Sequence, residues 1–434
     1  MNVSPDVRFE EAAAQLDRRQ PEHMPEPSLD RIRAVSELMD EPQLTYPTIH
    51  VTGTNGKTTI ARAAADIACA HGVKSGLYTS PHLHTVRERL SVCGVEISEE
   101  EFAEEWVHLA PYLEVVDGQE NGASTYFEAI TALAFLWFAD KPVGLAVLEV
   151  GMGGSWDATN LVAGDVAVIG EVALDHPELG SSVQEVATEK AGIIKPGKIV
   201  VVREQPDEAL KVIEARASEV GATVLLEGRD WEVTARLPAV GGQQFRVQGV
   251  HATYDELFLP MFGEHVVRNV AAAIVAVESF LGYRLDEDAA RTALGAMRIP
   301  GRLEVVARSP LIVLDGAHNP AGAEALARAL VEAFTWSRLH VVLAVSSNKD
   351  LDGVVAALAP MADVWYPAQN ESVRSFPSQH VAERIAAAGG RVADLGTVEE
   401  SIAAARDAAA GEDLILVTGS LYTVADARRA LGGS

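Results

Sequence analysis

Lys57 stands in the run Val51-Thr52-Gly53-Thr54-Asn55-Gly56-Lys57-Thr58-Thr59, where glycines, hydroxyls and one lysine crowd together. The chemistry this permits is phosphate binding. Backbone N–H groups and a helix N-terminus face the anion, the Lys57 ammonium supplies a point charge, and a threonine hydroxyl can reach Mg²⁺. The flanks agree. Tyr46 to Val51 is rich in β-branched residues and reads as a buried strand, and Ile60, Ala64, Ile67 and Ala68 share one helical face up to a stop at His71-Gly72. The usual phosphate-loop spacing would put its first glycine at Val51, but here it falls at Gly53, so the loop is short. The alternative is a Gly/Asn turn with an incidental lysine; strand, turn and helix together favour a nucleotide site.

Other reactive residues also sit at the ends of strand-like runs, where α/β sheets bind ligands. Ser80 closes a strand over Ser75 to Ser80. Glu149 is the one acid in the apolar run Val143 to Val150, and His176 follows a strand around Val166 to Ile169. Burying an unpartnered carboxylate is costly, so Glu149 is expected to have a partner. Thr58, Ser80 and Glu149 make an oxygen set suited to Mg²⁺; an imidazole is a less usual ligand for that ion. Gly151 to Asn160 is a second glycine-rich loop, either a connection or a substrate-facing segment. Lys190 ends a helix, where it could be solvated or meet the helix C-terminus. Asp315, His318 and Asn319 follow a strand, facing a ligand or capping the helix before Pro320.

Strand and helix patterns alternate nearly throughout, the mark of a doubly wound α/β sheet. A helix is expected from Ser124, as cap, to Asp140. Between about Asp230 and Pro260 short alternating stretches suggest antiparallel hairpins, and after Ile299-Pro300-Gly301-Arg302 a fresh α/β series begins. Two domains are expected, an N-terminal ATP-binding P-loop domain over 1–299 and a smaller C-terminal α/β domain over 300–434.

Composition narrows the partners. The chain has 434 residues, 48% hydrophobic, and a formal charge of −27 that disfavours nucleic acid and anionic membranes. Neither a leader-like N-terminus nor an apolar run of membrane-spanning length is seen. Two cysteines, Cys69 and Cys93, are too few for a disulfide framework, and a reducing, cytoplasmic setting is expected.

Taken in order, these motifs resemble folylpolyglutamate synthase/dihydrofolate synthase, the folate branch of the Mur-ligase superfamily. The resemblance rests on Gly-Thr-Asn-Gly-Lys-Thr (53–58), Ser-Pro-His-Leu (80–83), Tyr-Phe-Glu (126–128) and Glu-Val-Gly-Met-Gly-Gly with Trp-Asp-Ala-Thr-Asn (149–160). It continues in Glu-Lys-Ala-Gly-Ile-Ile (189–194), Gly-Glu-His with Asn269, Pro-Gly-Arg-Leu-Glu (300–304) and Asp-Gly-Ala-His-Asn-Pro (315–320). It implies ATP and Mg²⁺ as cofactors, with Gly53, Thr54, Asn55, Gly56, Lys57, Thr58, Thr59, Asn269, Arg302 and Asp315 on ATP. Metal ligands would be Ser80, Glu149 and His176, and catalytic residues Lys57, Lys190 (carbamylated) and His318. Folate or dihydropteroate would meet Leu29, Asp30, Arg31, Thr125, Tyr126, Phe127, Glu128, Trp156, Asp157 and Ala158.

The implied reaction is ATP-driven amide formation between a folate-type carboxylate and L-glutamate through an acyl phosphate, by a monomer, with the second domain closing over the nucleotide. A Mur-type ligase for another carboxylate, or a nucleotide-gated switch, is the alternative. Two departures lie near the acceptor: Ser155 replaces the family's arginine, and the segment after His176 is short.

Overall fold

The computed structural model describes residues 8–22, 24, 26–119, 122–175 and 177–432. These fall into two compact units. One holds residues up to Ala235 with Phe245–Leu257 and Arg268–Gly295; the other holds Arg236–Gln244, Phe258–Val267 and residues from Ala296 onward.

The first unit is built on β1 (Thr48–Thr52), β2 (Ser75–Tyr78), β3 (Leu90–Val92), β4 (Val95–Glu96), β5 (Leu145–Glu149), β6 (Val166–Ile169), β7 (Ile199–Val202) and β8 (Thr223–Leu226). They make one sheet in the order β4-β3-β2-β5-β1-β6-β7-β8. Pairing is parallel from β2 to β8, while β3 and β4 are antiparallel additions at one edge. Every residue of β1, β2, β5 and β6 is buried, which is why these strands read as apolar runs rather than alternating ones.

The helices around this sheet are α1 (Phe9–Asp17), α2 (Asp30–Leu38), α3 (Lys57–Ala70), α4 (Glu99–Asp117), α5 (Tyr126–Asp140), α6 (Val183–Ala191) and α7 (Asp207–Val220). Ala146 and Leu148 join one core cluster with residues of α1, α2, α4 and α5, among them Leu16, Ile32, Phe102 and Leu133. Side chains alternate along a strand, so Leu145, Val147 and Glu149 point to the opposite face, where α3 packs on β5. Glu149 is thereby turned toward the helix that follows the phosphate loop.

Reciprocal capping boxes start three of these helices, at Ser98/Glu101, Thr125/Glu128 and Ser182/Glu185. The expected cap at Ser124 is corrected to Thr125. Thr125 has a glutamate three residues on, whereas Ser124 has Phe127 there, and its own N–H goes instead to Asp117.

The cysteine reading is also corrected. Cys69, near the end of α3, and Cys93, in the β3–β4 turn, form a disulfide with Cα atoms 5.6 Å apart. The chain leaves α3 into β2, and β3 returns antiparallel beside it, so Cys93 comes back to donate its N–H to Ser75 O. The cysteines therefore give no support to a reducing compartment. No helix among the described residues is long and apolar enough to cross a membrane.

A three-stranded sheet, β9 (Glu232–Ala239), β10 (Gly242–Gln248) and β11 (Thr253–Leu259), has the order β11-β10-β9. The two-residue link between β9 and β10 is a hairpin, as expected of antiparallel neighbours. Helices α8 (Glu264–Leu281) and α9 (Glu287–Ala296) follow.

The second unit's sheet contains β12 (Glu304–Arg308), β13 (Leu311–Leu314), β14 (Leu339–Leu343), β15 (Val364–Gln369), β16 (Gly396–Thr397) and β17 (Leu414–Thr418), ordered β12-β13-β17-β14-β15-β16. Only β12 is antiparallel. The helix α10 (Pro320–Ala333) follows β13, with Asn319 as its N-cap.

One buried ion pair ties α2 to α5. Arg31 Nε donates to Glu128 Oε2 at 3.0 Å, and both side chains are buried. Glu128 also accepts the Thr125 N–H at 2.7 Å, so one carboxylate serves a cap and a tie between helices. Glu128→Ala removes both roles and takes from Arg31 its buried ionic partner, the Glu26 carboxylate being exposed. The expected loss is about 3 kcal/mol, at the low end for breaking a buried pair. Urea unfolding of the two proteins checks it, and a change below about 1 kcal/mol, the scale of a lone cap, contradicts it.

Candidate active site

The carboxyl ends of β2, β5 and β1 lead into Ser80, Glu149 and the phosphate loop that the sequence singled out. Leaving β1, Thr52 O accepts the Gly170 N–H at 2.8 Å, and Gly53 passes so close to Gly170 that an added Cβ would lie 3.0 Å from its Cα. Gly56, with φ +79°, caps α3 in the left-handed region, where glycine is favoured. A Cβ there would also strike the Asn269 amide at 2.1 Å. Asn269 is buried and its Oδ1 accepts from Arg203 at 2.8 Å, so Arg203 aims the amide at the loop. Thr54 is tied by its hydroxyl to Ala173 N and O, each at 2.9 Å. Thr59 is buried. Lys57 Nζ donates to Gly53 O (3.1 Å) and Thr54 O (3.3 Å), within the loop itself.

Glu149 is 2% exposed. Its Oε1 accepts from the Thr58 hydroxyl at 2.8 Å, and its Oε2 from the Ser80 backbone N–H at 3.3 Å. Thr58, Ser80 and Glu149 thus meet although they are far apart in sequence. A buried carboxylate beside a hydroxyl fits a hard divalent cation, which takes oxygen ligands. His176 lies outside the described residues.

Lys190, 3% exposed on the last turn of α6, reaches across to Gly53 O at 2.9 Å. Burial first, and then the Lys57 cation, lower its pKa to about 7, against the opposing pull of Asp175 and Asp157. Two lysines therefore converge on one loop carbonyl, and one of them is readily neutral near pH 7.

The second glycine-rich loop is organised from within. Asp157 Oδ2 accepts the Met152 N–H at 2.9 Å and Oδ1 the Thr159 N–H at 3.0 Å. The Thr159 hydroxyl also donates to Asp157 and accepts from His50 Nε2 at 2.8 Å. Thr52 Oγ1 holds Gly153 O at 2.8 Å, fastening this loop to β1. Ser155 donates through both its N–H and its hydroxyl to Glu189 O, at 2.9 and 3.1 Å. An added Cβ on Gly192 would meet Ser155 Oγ at 2.3 Å, so the loop docks tightly on the end of α6 next to Lys190. Ala158 packs in one core cluster and Trp156 against another.

The expected acceptor segments also come together. Arg31 and Glu128 form the pair described above, Leu29 packs on the same core, and Asp30 is exposed. Phe127 covers Gly151, where an added Cβ would lie 2.5 Å from its ring. The Arg89 guanidinium stands 5.2 Å from the Tyr126 ring centre and pairs with Glu22. Arg89 Nε donates to His82 Nδ1 at 2.9 Å. Burial and this cation lower the His82 pKa to about 4, so the neutral ring presents Nε2–H. Sequence reading missed Arg203, Arg89 and His82; only His82, two residues past Ser80, carried a local signal.

In the second unit, Asp315 accepts N–H groups from Leu303 (2.9 Å) and Ala317 (2.8 Å), and burial raises its pKa despite the Arg302 cation. A Cβ on Gly316 would lie 2.8 Å from an Arg302 guanidinium nitrogen, so Arg302 lies along this strand end. His318 Nδ1 bonds Gly316 O at 2.9 Å and is therefore the protonated nitrogen.

Comparison with known proteins decides the family. Residues 51–277 match the Mur ligase middle domain, and residues 301–421 match the Mur ligase, glutamate ligase domain. A dihydrofolate synthase/folylpolyglutamate synthase of Mycobacterium tuberculosis is 38% identical, the alignment covering 96% of this chain and 92% of the relative. The chain belongs to the dihydrofolate synthase/folylpolyglutamate synthase family of Mur ligases.

Solved structures of this synthase family agree. The Mycobacterium tuberculosis folylpolyglutamate synthase complexed with ADP and AMPPCP superposes with a TM-score of 0.92 at 36% identity, over 99% of this chain and 100% of that one. A bifunctional folylpolyglutamate synthase/dihydrofolate synthase with Mn, AMPPNP and L-glutamate bound gives 0.86 at 31% identity, over the full length of both. The synthase fold expected from sequence, an α/β P-loop domain with a separate C-terminal α/β domain, is the one observed, and the chain is an ATP-dependent ligase.

The Thr58, Ser80 and Glu149 cluster predicts a shifted metal requirement on neutralising its charge. Glu149→Gln keeps the shape but removes the anion, and the Mg²⁺ concentration giving half-maximal ADP formation is expected to rise about tenfold or more. An unchanged Mg²⁺ titration contradicts this metal environment.

Proposed function

We propose that this chain joins the α-amine of L-glutamate to the carboxylate of dihydropteroate or of a reduced folate, using ATP and Mg²⁺. The observation that carries the reading is the convergence of Lys57 and Lys190 on Gly53 O, with Thr58 and Glu149 hydrogen-bonded beside them. A phosphate loop, a lysine cation and a buried carboxylate beside a hydroxyl are what a site for phosphoryl transfer from a metal-bound nucleotide requires. Relatives with bound ADP, AMPPCP, AMPPNP, Mn and L-glutamate support ATP and a divalent metal for this chain.

A carboxylate is a poor electrophile. Transfer of the γ-phosphoryl group to its oxygen makes an acyl phosphate. The glutamate nitrogen then attacks the acyl carbon, loses a proton, and phosphate departs with the former carboxylate oxygen. In this scheme the backbone N–H groups of residues 53–58 cradle the phosphates, and Lys57 turns from its loop carbonyls to the transferring group. Thr58, Ser80 and Glu149 would hold Mg²⁺, with His176 added by the family motif, and the bound ion would neutralise phosphate charge. Lys190, with its depressed pKa, supplies the neutral amine that carbamylation by CO₂ needs; forming the N–C bond would release one proton to solvent and leave an anionic side chain at this position.

Asn269, Arg302 and Asp315 as ATP contacts, and His318 as a catalytic residue, rest on the family motifs. So do the acceptor contacts at residues 29–31, 125–128 and 156–158. Phe127, Tyr126 and the Nε2–H of His82 offer a flat apolar wall and a donor in that region. A two-domain division near residue 300, a monomeric state and a cytoplasmic location complete the proposal.

Mass spectrometry of products from dihydropteroate and from tetrahydrofolate monoglutamate, each with ¹⁸O in the acceptor carboxylate, tests the reading. The expected result is a mass gain of one glutamyl residue and one ¹⁸O in the released phosphate. Glutamate-independent ATP hydrolysis with neither product contradicts it and favours a nucleotide-gated switch.

A further inference from the structure

Glu105 and His108 lie three residues apart on α4 and so share a face, and Asp140 is the last residue of α5, which packs against α4. One donor atom from each of the three lies within 4.8 Å of the other two. We propose that Glu105, His108 and Asp140 form a binding site for a first-row transition cation of the zinc class, separate from the nucleotide site.

Burial is the first reason. Glu105 is only 8% exposed, and its Oε2 is buried with no hydrogen-bond partner, while His108 and Asp140 are exposed. A buried carboxylate oxygen is expensive to leave unmatched. The Glu105 carboxyl instead has a second carboxylate and an imidazole ring within reach of a shared ion.

Charge is the second reason. The nearest cation, Lys141, is engaged with Glu101 across an ion pair, and Glu104 adds further negative charge. Desolvation and the Asp140 carboxylate raise the Glu105 carboxyl to about 8, so in the metal-free protein a proton takes the place that a cation can fill.

The donor set indicates which cation. Two carboxylate oxygens and one imidazole nitrogen, with a fourth position open to water, suit Zn²⁺ and its neighbours, whereas Mg²⁺ and Ca²⁺ favour all-oxygen sets. Bonds of about 2.0–2.2 Å place ligand atoms roughly 3.5 Å apart. The two exposed side chains need to draw in by only about an ångström around the fixed Glu105. Binding would clamp the end of α5 to α4.

Calorimetric titration of the full-length protein with Zn²⁺, in saturating Mg²⁺ and AMPPNP so that the nucleotide site is filled, tests this. The expected result is one Zn²⁺ equivalent bound at micromolar or tighter Kd, with at least tenfold weaker binding in His108→Ala and in Glu105→Gln. Zn²⁺ should raise Tm in the parent protein and not in His108→Ala, while ADP formation in Mg²⁺ alone is unchanged by that substitution. If Glu105→Gln does not fold, the exposed substitutions His108→Ala and Asp140→Asn decide the matter. No Zn²⁺ equivalent in the parent protein, or the same affinity in His108→Ala, overturns the proposal and leaves a carboxyl pair sharing a proton.

Discussion

Two titratable groups are kept almost wholly from water at the mouth of one sheet, the Glu149 carboxylate and the Lys190 amine. Burying a charge costs several kcal/mol unless it is paired or hydrogen-bonded. Much of the surrounding architecture can be read as meeting that condition. Glu149 is matched by the Thr58 hydroxyl and the Ser80 N–H, and Lys190 by Gly53 O. Those partners come from β1, α3 and the end of β2, so the charges and the parallel register of these elements depend on one another.

A second set of contacts makes this arrangement rigid. Thr52 links β1 to the Gly151–Asn160 loop, Asp157 gathers that loop's own N–H groups, and Ser155 seats it on the end of α6. The loop thus connects the phosphate cradle to the helix that carries Lys190. The missing family arginine is easier to understand here. Ser155 lies directly against Gly192, where an added Cβ would meet its hydroxyl, and both its N–H and its hydroxyl are used on Glu189 O.

The features legible in the sequence were those that local patterns determine. A strand, a glycine turn and a helix punctuate residues 46–71 without help from the rest of the chain. Glu149 stood out because a lone acid in an apolar strand must be met by something. Long-range placement was not legible. Lys190 read locally as a helix-end lysine, yet its partner Gly53 lies 137 residues away. Cys69 and Cys93 pair only because β3 folds back antiparallel on β2, a step that composition does not record. Asp157 read as a substrate contact from its motif, while its carboxylate is occupied with Met152 and Thr159. The Arg203–Asn269 contact likewise joins residues 66 apart in sequence.

We propose that the buried amine of Lys190, held close to neutrality by burial and the Lys57 cation, is carbamylated in the working enzyme. The most direct measurement is ¹³C NMR of the active, Mg²⁺- and nucleotide-loaded enzyme equilibrated with ¹³C-bicarbonate. A carbamate resonance is expected that is absent in Lys190→Arg, with glutamate ligation lost when bicarbonate is removed and regained when it is restored. A fully active enzyme with no carbamate signal would contradict it.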